Sequence, residues 1–393
     1  MGRMDRRQAG TNLAGLRDHN TALVLRLLRA AAAAAAAAAA VGEGSESGAG
    51  SGGGTGSSRV QLAAETGLTP QAISKITARL LDEGMIVETG RAESTGGKPR
   101  TLLAVRPEAA YTIGVELDRR HSTILLVDLA GQPRRRESLT LGLASAAPER
   151  VAAGLAERVQ DLIRTAPGGG RVLGVGIGCR GPLDYETGVL HRPAGLPGWD
   201  GYPLCDVITA LLDLPAAAST TVLLDKDTNT AALAAPAPGP GNTAYLHLAD
   251  GLGAGLLLNG AIYRGTRTNA GEFGHQVVQP DGPVCTCGSR GCLEALCLAA
   301  LADGDPHTAA RWLGLGAANL VRLLDIDRIL LGGHQIFAAP DVYLGAVAEQ
   351  ITEHLPDPGW QGVQVSLTPA GADAVAVGAA RLALDTALEA PVS

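Results

Sequence analysis

The chain has 393 residues, 46% of them hydrophobic but only 3% aromatic, enough apolar material for two or three domain cores. Residues 1–107 carry 13 Lys and Arg against 9 Asp and Glu, a net of +4, while the remaining 286 carry 19 against 30, a net of −11. A basic head on an acidic body fits a polyanion-binding module joined to a domain that does not hold nucleic acid. No apolar, non-alanine run approaches a membrane span, and the Arg-bearing N-terminus leads into no signal-peptide hydrophobic region. Six cysteines, three of them crowded into one segment, argue against a disulfide scaffold and for a reducing compartment, the cytoplasm.

Leu13, Leu16, Leu23, Val24, Leu27 and Leu28 fall at helical spacing and predict a helix over 11–29. Ala30–Ala40 can prolong it, but the Gly/Ser run that follows cannot bury anything. Residues 30–57 therefore read largely as a flexible insertion. Order returns at Ser58 with a short helix over 60–66, a turn at Gly67-Leu68, and a second helix opened by Thr69-Pro70 and running to about Glu83. Thr is a good N-cap and Pro suits the first helical position. Ile73, Ile76, Leu80 and Leu81 take its inner side and leave Gln71, Ser74, Lys75 and Arg79 outside. Helix, tight turn and helix with a polar face is the arrangement that lays a recognition helix in the DNA major groove; a small helical domain for protein contact is the alternative. Strands predicted over 85–89 and 101–105 flank a wing-like loop that presents Arg91, Lys98 and Arg100.

Beyond Ala109 strands and helices alternate, which indicates an α/β body. Strands are predicted over 111–117, 123–129, 172–177, 222–224, 243–248, 255–258 and 328–331. Helices are predicted over 149–164, 309–324, 342–354 and 374–388.

Within that body, Gly271–Glu294 reads GEFGHQVVQPDGPVCTCGSRGCLE. His275, Cys285, Cys287 and Cys292 could surround one tetrahedral zinc, with Gly288 and Gly291 letting the chain fold back so the sulfurs converge. Four unconnected residues, or a disulfide between two of the cysteines, are the alternatives. Glu272 and Glu294 are not needed as ligands and are free to face something else.

The run AGEFGH followed by CTCGSRGCLE closely resembles the signature of the ROK family (repressors, open reading frames and kinases). The resemblance implies an actin-like, two-lobed sugar-kinase fold for residues 108–393, with zinc on the His and three Cys. It also implies sugar contacts from Glu272, His275 and Glu294. GIGCRGPLD (176–184) resembles the family's sugar loop, and LDKDTNTAALA (224–234) the segment that carries the kinases' catalytic base, here Asp227. Lys226 stands where the kinases usually have a sugar-binding Asn. The segment from Leu62 through the wing resembles the winged helix-turn-helix head of ROK repressors, which assigns residues 1–107 to DNA binding.

Two functions of different class follow: an ATP-dependent sugar kinase, or a sugar-responsive DNA-binding regulator. Phosphoryl transfer needs backbone amides close to phosphates, hence glycine-rich turns. The family's first phosphate loop, DxGGT, is here Asp118-Arg119-Arg120-His121 after Glu116-Leu117, and the second, GTGIGxG, begins Ala249-Asp250. Bulky side chains and an added carboxylate erode the nucleotide half while the sugar half is kept. The expectation is a repressor with zinc as cofactor; its partners are a duplex operator, a sugar or sugar phosphate, and further copies of the chain. Asp227 is catalytic only if kinase activity survives.

Overall fold

The computed structural model describes residues 13–42, 56–91, 100–119, 121–141, 143–196, 198–213, 220–235, 241–357, 359–360 and 362–389. Lys98, Arg120, Pro197 and most of the Gly/Ser run lie outside them.

The head comprises α1 (Leu13–Gly42), β1 (Ser57–Ser58), α2 (Arg59–Thr66), α3 (Pro70–Asp82), β2 (Ile86–Arg91) and β3 (Thr101–Val105), with an antiparallel sheet in the order β1-β3-β2. Local chemistry sets its helix ends. Ser58 and Gln61 close a reciprocal capping box at the start of α2, and Gly67 ends it in the left-handed region at φ 70°. Thr69 accepts from the Ala72 amide to cap α3, with Pro70 in the first turn. Two boundaries differ from the sequence expectation. The alanine run carries α1 on to Gly42, since alanine has the highest helix propensity of all residues. Ser57 and Ser58 pair with Leu103 and Leu102, so the head's sheet starts within the stretch read as insertion.

The first lobe contains β4 (Ala110–Leu117), β5 (Ser122–Asp128), β6 (Pro133–Leu139), α4 (Pro148–Arg164), β7 (Arg171–Cys179), β8 (Leu183–Asp184), β9 (Val189–Leu190), α5 (Leu204–Leu211), β10 (Thr221–Lys226) and α6 (Asp227–Leu233). Its main sheet runs β10-β7-β4-β5-β6, parallel from β10 to β4 and antiparallel beyond. The second lobe contains β11 (Thr243–Leu248), β12 (Leu252–Leu258), β13 (Ala261–Ile262), α7 (Leu293–Ala302), α8 (Pro306–Leu324), β14 (Arg328–Gly332), α9 (His334–Ala338), α10 (Pro340–His354) and β15 (Gln364–Leu367). Its sheet runs β13-β12-β11-β14-β15. The last helix, α11 (Ala374–Glu389), crosses back and packs on β4, β7 and α6.

Each lobe has its own core. Ile113, Val115, Val175 and Ile177 of the first sheet are fully buried against Val151, Leu155, Val159 and Leu162, the apolar stripe of α4. Leu246, Ile329 and Leu331 are buried against Leu313, Ala317 and Val321 of α8. A third cluster joins head to body: Val24, Leu25 and Leu28 of α1 meet Leu62, Ile73, Leu80 and Leu103 of the head, and also Leu129 and Leu384 of the body. Burying a leucine side chain is worth about 1.5–3 kcal/mol, so α1 is a stable part of both units. Among the described residues no helix is long and apolar enough to cross a membrane.

Candidate functional site

The cysteine segment folds as the sequence analysis anticipates. Val277 bridges to Cys292 and Val284 to Arg290, which turns the loop back on itself. Gly291 sits at φ 66°, where a Cβ would lie 1.5 Å from the Gln279 carbonyl oxygen, so only glycine fits. One ligand atom from each of His275, Cys285, Cys287 and Cys292 comes within 4.8 Å of all the others. The Cys287 and Cys292 sulfurs are 3.6 Å apart, and Cys285 Sγ is 3.6 Å from His275 Nδ1. Zinc with sulfurs at about 2.3 Å in a tetrahedron spaces them roughly 3.8 Å apart, so the cluster fits that ion. All three cysteines are free thiols, which removes the disulfide alternative. The Ser289 backbone amide pulls the exposed Cys287 thiol down to about 7, toward the thiolate a metal requires.

The two carboxylates beside the cluster are engaged, not free. Glu272 Oε1 takes a 2.5 Å contact from Lys226 Nζ, and its Oε2 lies 3.9 Å from His275 Nε2. His275 thus directs one ring nitrogen at the thiols and the other at a carboxylate, the second-sphere arrangement that orients metal-bound imidazoles. Glu294 Oε2 accepts from the Leu252 amide at 2.8 Å, and its Oε1 lies 3.4 Å from Thr286 Oγ1. Asp227 opens α6, and its Oδ1 accepts from the Thr228 amide at 2.7 Å.

Lys226, which stands where the kinases have Asn, takes a role that its place in the sequence does not reveal. Its side chain is buried, lies against Gly181 of the 176–184 loop, and donates to the Ala270 carbonyl at 3.0 Å as well as to Glu272. The preceding residue, Asp225, is fully buried and holds Arg264 at 2.8 Å, while the Arg264 guanidinium stacks 3.7 Å over the Tyr185 ring. Two consecutive residues of the first lobe therefore tie down the 264–272 segment of the second. The LDKD run holds the charges, but nothing in one sequence reveals their partners some forty positions on.

A cavity of about 340 Å³ opens between the lobes, lined by Glu116, Asp118, Arg180, Asp227, His247 and Asp250 among others. Burial, then the nearby Asp118 and Asp227 charges, push the Glu116 carboxyl up to about 8. Burial holds the His247 imidazole below its ordinary value. Arg180 pairs with Asp118 at 3.4 Å, and His334 lies 3.7 Å from Asp250. Arg119 turns away from this cavity and packs its guanidinium on Gly195. The second loop is shorter than the sequence suggests, because β12 already starts at Leu252. The cavity wall is mixed in charge: Asp118, Asp227 and Asp250 line it together with Arg136, Arg180 and three histidines, His121, His247 and His334.

On the head, Gln71, Ser74 and Lys75 of α3 and Arg100 beside the wing are exposed. Arg79 is engaged within the head: its guanidinium bonds Thr21 of α1 and lies 3.8 Å from Glu83.

The ROK family profile matches residues 112–302. The chain is similar to the xylose repressor of Caldicellulosiruptor bescii, 28% identical over 242 residues that cover 60% of this chain and 59% of the repressor. It is also 28% identical to the DNA-binding transcriptional dual regulator NagC of Escherichia coli, over 61% of this chain and 58% of NagC. The match thus spans about six tenths of the length of these curated relatives. Among solved structures, the ROK hexokinase from Thermus thermophilus is 31% identical with a TM-score of 0.57, covering 69% of this chain and 96% of the hexokinase. A ROK family transcriptional regulator, a homolog of the E. coli MLC protein, is 25% identical with a TM-score of 0.65, covering 86% of this chain and 93% of the regulator. Motif, two-lobed fold and a hexokinase matched over nearly its whole length agree: this chain belongs to the ROK family.

Proposed function

We propose that the chain is a sugar-responsive DNA-binding transcriptional regulator, acting as a repressor, whose body senses a sugar or sugar phosphate and whose head holds duplex DNA. The observation that carries this reading is the unequal reach of the structural matches. The hexokinase is matched over 96% of its length yet leaves about three tenths of this chain unpaired, whereas the regulator extends to 86% of it. The surplus is what a DNA-binding head would supply.

In this reading Asp227, Glu272, His275 and Glu294 fix sugar hydroxyls in one orientation. One zinc on His275, Cys285, Cys287 and Cys292 serves structure, because four protein ligands leave no open position for a water. Gln71, Ser74 and Lys75 read base edges, Lys98 and Arg100 take phosphates from the wing, and Arg79 adds its remaining donors while steadying α3 on α1. Arg119, packed on Gly195, and Asp250 stand where the family's phosphate loops carry Gly and Thr, which argues against phosphoryl transfer, whose catalysis is positioning and charge stabilisation around a phosphate. Closure of the lobes on a sugar shifts the heads between two arrangements, a coupling typically worth about 1–3 kcal/mol.

A coupled ATP-consumption assay over common hexoses, pentoses and N-acetylated sugars tests the choice. The expected result is sugar binding without turnover. Turnover of about 1–1,000 per second, abolished by Asp227→Asn, would establish a kinase instead.

A further inference from the structure

One helix spans the distance between the cleft and the head. The first residues of α11, Ala374 and Val375, line the cavity that Asp227 also lines. Its later residue Leu384 is buried in the cluster that α1 shares with α2 and α3. Sixteen helical residues make this a rod of about 24 Å.

The cleft end is gripped without slack. A Cβ on Gly378 would lie 1.6 Å from the Thr230 carbonyl oxygen, so α11 touches α6 backbone to backbone. On the opposite side of α6, a Cβ on Gly255 of β12 would lie 2.0 Å from the Thr228 carbonyl oxygen. The helix that begins with Asp227 is thus held between α11 and the second lobe, and neither contact leaves room for it to slide independently.

Arg381 secures the far end of α6, where Nη1 donates to the carbonyls of Leu233 at 2.9 Å and Ala235 at 2.5 Å. Its Nε lies 3.6 Å from Asp385 Oδ2, and the other oxygen of Asp385 accepts from Arg29 Nη1 at 3.3 Å. Arg29 belongs to α1, and its side chain is only 11% exposed. Among the described residues its buried Nε has no hydrogen-bond partner, so Asp385 is the group that offsets the burial of this cation.

We propose that Arg381, Asp385 and Arg29 are positioning residues that transmit the placement of α6 in the cleft to α1 and so to the DNA-binding helices. This inference rests on the regulator reading above and adds the connection through which the two ends communicate. Arg381 grips the carbonyl end of α6, Asp385 is shared between the two arginines, and Arg29 carries the link into the head. Packed elements linked by ion pairs convey such shifts when both arrangements are discrete.

The test needs no sugar. Full-length wild type, Arg29→Gln, Arg381→Gln and the double variant are compared by amide hydrogen exchange. Arg381→Gln, a change in the body, is expected to speed exchange of α2 and α3 by about 5-fold or more, while β4 and β7 keep their wild-type rates. The double variant should be no faster in the head than Arg29→Gln alone. Head amides unmoved by Arg381→Gln, additive effects, or equal loosening of β4 and β7 would each overturn the proposal. Should Arg381→Gln not fold, Arg381→Lys keeps the charge but loses the fork and gives the same comparison. Adding D-xylose or N-acetylglucosamine to the wild type separates the two ideas. If neither sugar alters head exchange while the variants behave as expected, the connection stands and the regulator reading loses support.

Discussion

Lys226 and Glu272 form a 2.5 Å ion pair between the lobes, and the two partners are unequally buried: the Lys226 side chain is 6% exposed, that of Glu272 40%. Loss of either is therefore not equivalent. Without Lys226, water can reach the carboxylate; without Glu272, a buried ammonium keeps, among the described residues, the Ala270 carbonyl alone. Glu272→Ala is expected to cost about 1–3 kcal/mol in urea unfolding and Lys226→Met distinctly less. Equal losses would show that the pair is hydrated from both sides.

The cysteine cluster predicts one zinc per chain. Metal analysis of protein purified without chelator should give a stoichiometry near one, and Cys287→Ser should lower it together with thermal stability and sugar binding. Stability unchanged by removal of the metal would contradict the role given to the ion.

Much of the fold was legible because its signals are local. Thr69-Pro70, the stripe on α4 and the alternating apolar runs mark their own elements, and GEFGH with CTCGSRGCLE marks the family. What stayed hidden depends on contacts distant in sequence. β6 (PRRRESL) is a charged strand that takes its place only by pairing with β5, and β15 is a half-exposed edge strand beside β14. The cluster of four ligands could be read from spacing, whereas the Lys226–Glu272 and Arg29–Asp385 pairs could not. Composition misled in one place: the alanine run resembles a linker, yet its helix propensity carried it into α1.

Glu116 predicts a specific pH dependence. Its carboxyl titrates near 8 in the folded chain against 4.5 unfolded, so the native state holds the extra proton between those values. Stability from this group is fully present below about pH 4.5 and is lost as pH rises through 8, at up to about 1.4 kcal/mol per pH unit. Glu116→Gln should flatten the fall measured by urea unfolding from pH 5 to 8. An unchanged slope would place the titrating group elsewhere.

On the head, exposure separates the residues proposed to read DNA from Arg79, which holds α3 to α1. Gln71→Ala should relax sequence preference, whereas Arg100→Ala should weaken all duplexes alike and reduce the salt slope by about one. Arg79→Ala should instead loosen α3 from α1 and lower head stability as well as binding, because its guanidinium bonds Thr21. Footprinting against mutated operators, with salt titrations, distinguishes the three.

A sugar-responsive regulator must couple sugar and DNA in this one chain. Fluorescence anisotropy of the full-length protein on its own promoter DNA at low salt, titrated in parallel with D-xylose, N-acetylglucosamine and their phosphates, measures that coupling directly. The prediction is salt-sensitive binding whose affinity changes by about 5–150-fold with one of these sugars and loses that response in Glu294→Ala. No binding to promoter DNA, or binding that every sugar leaves untouched, would contradict it.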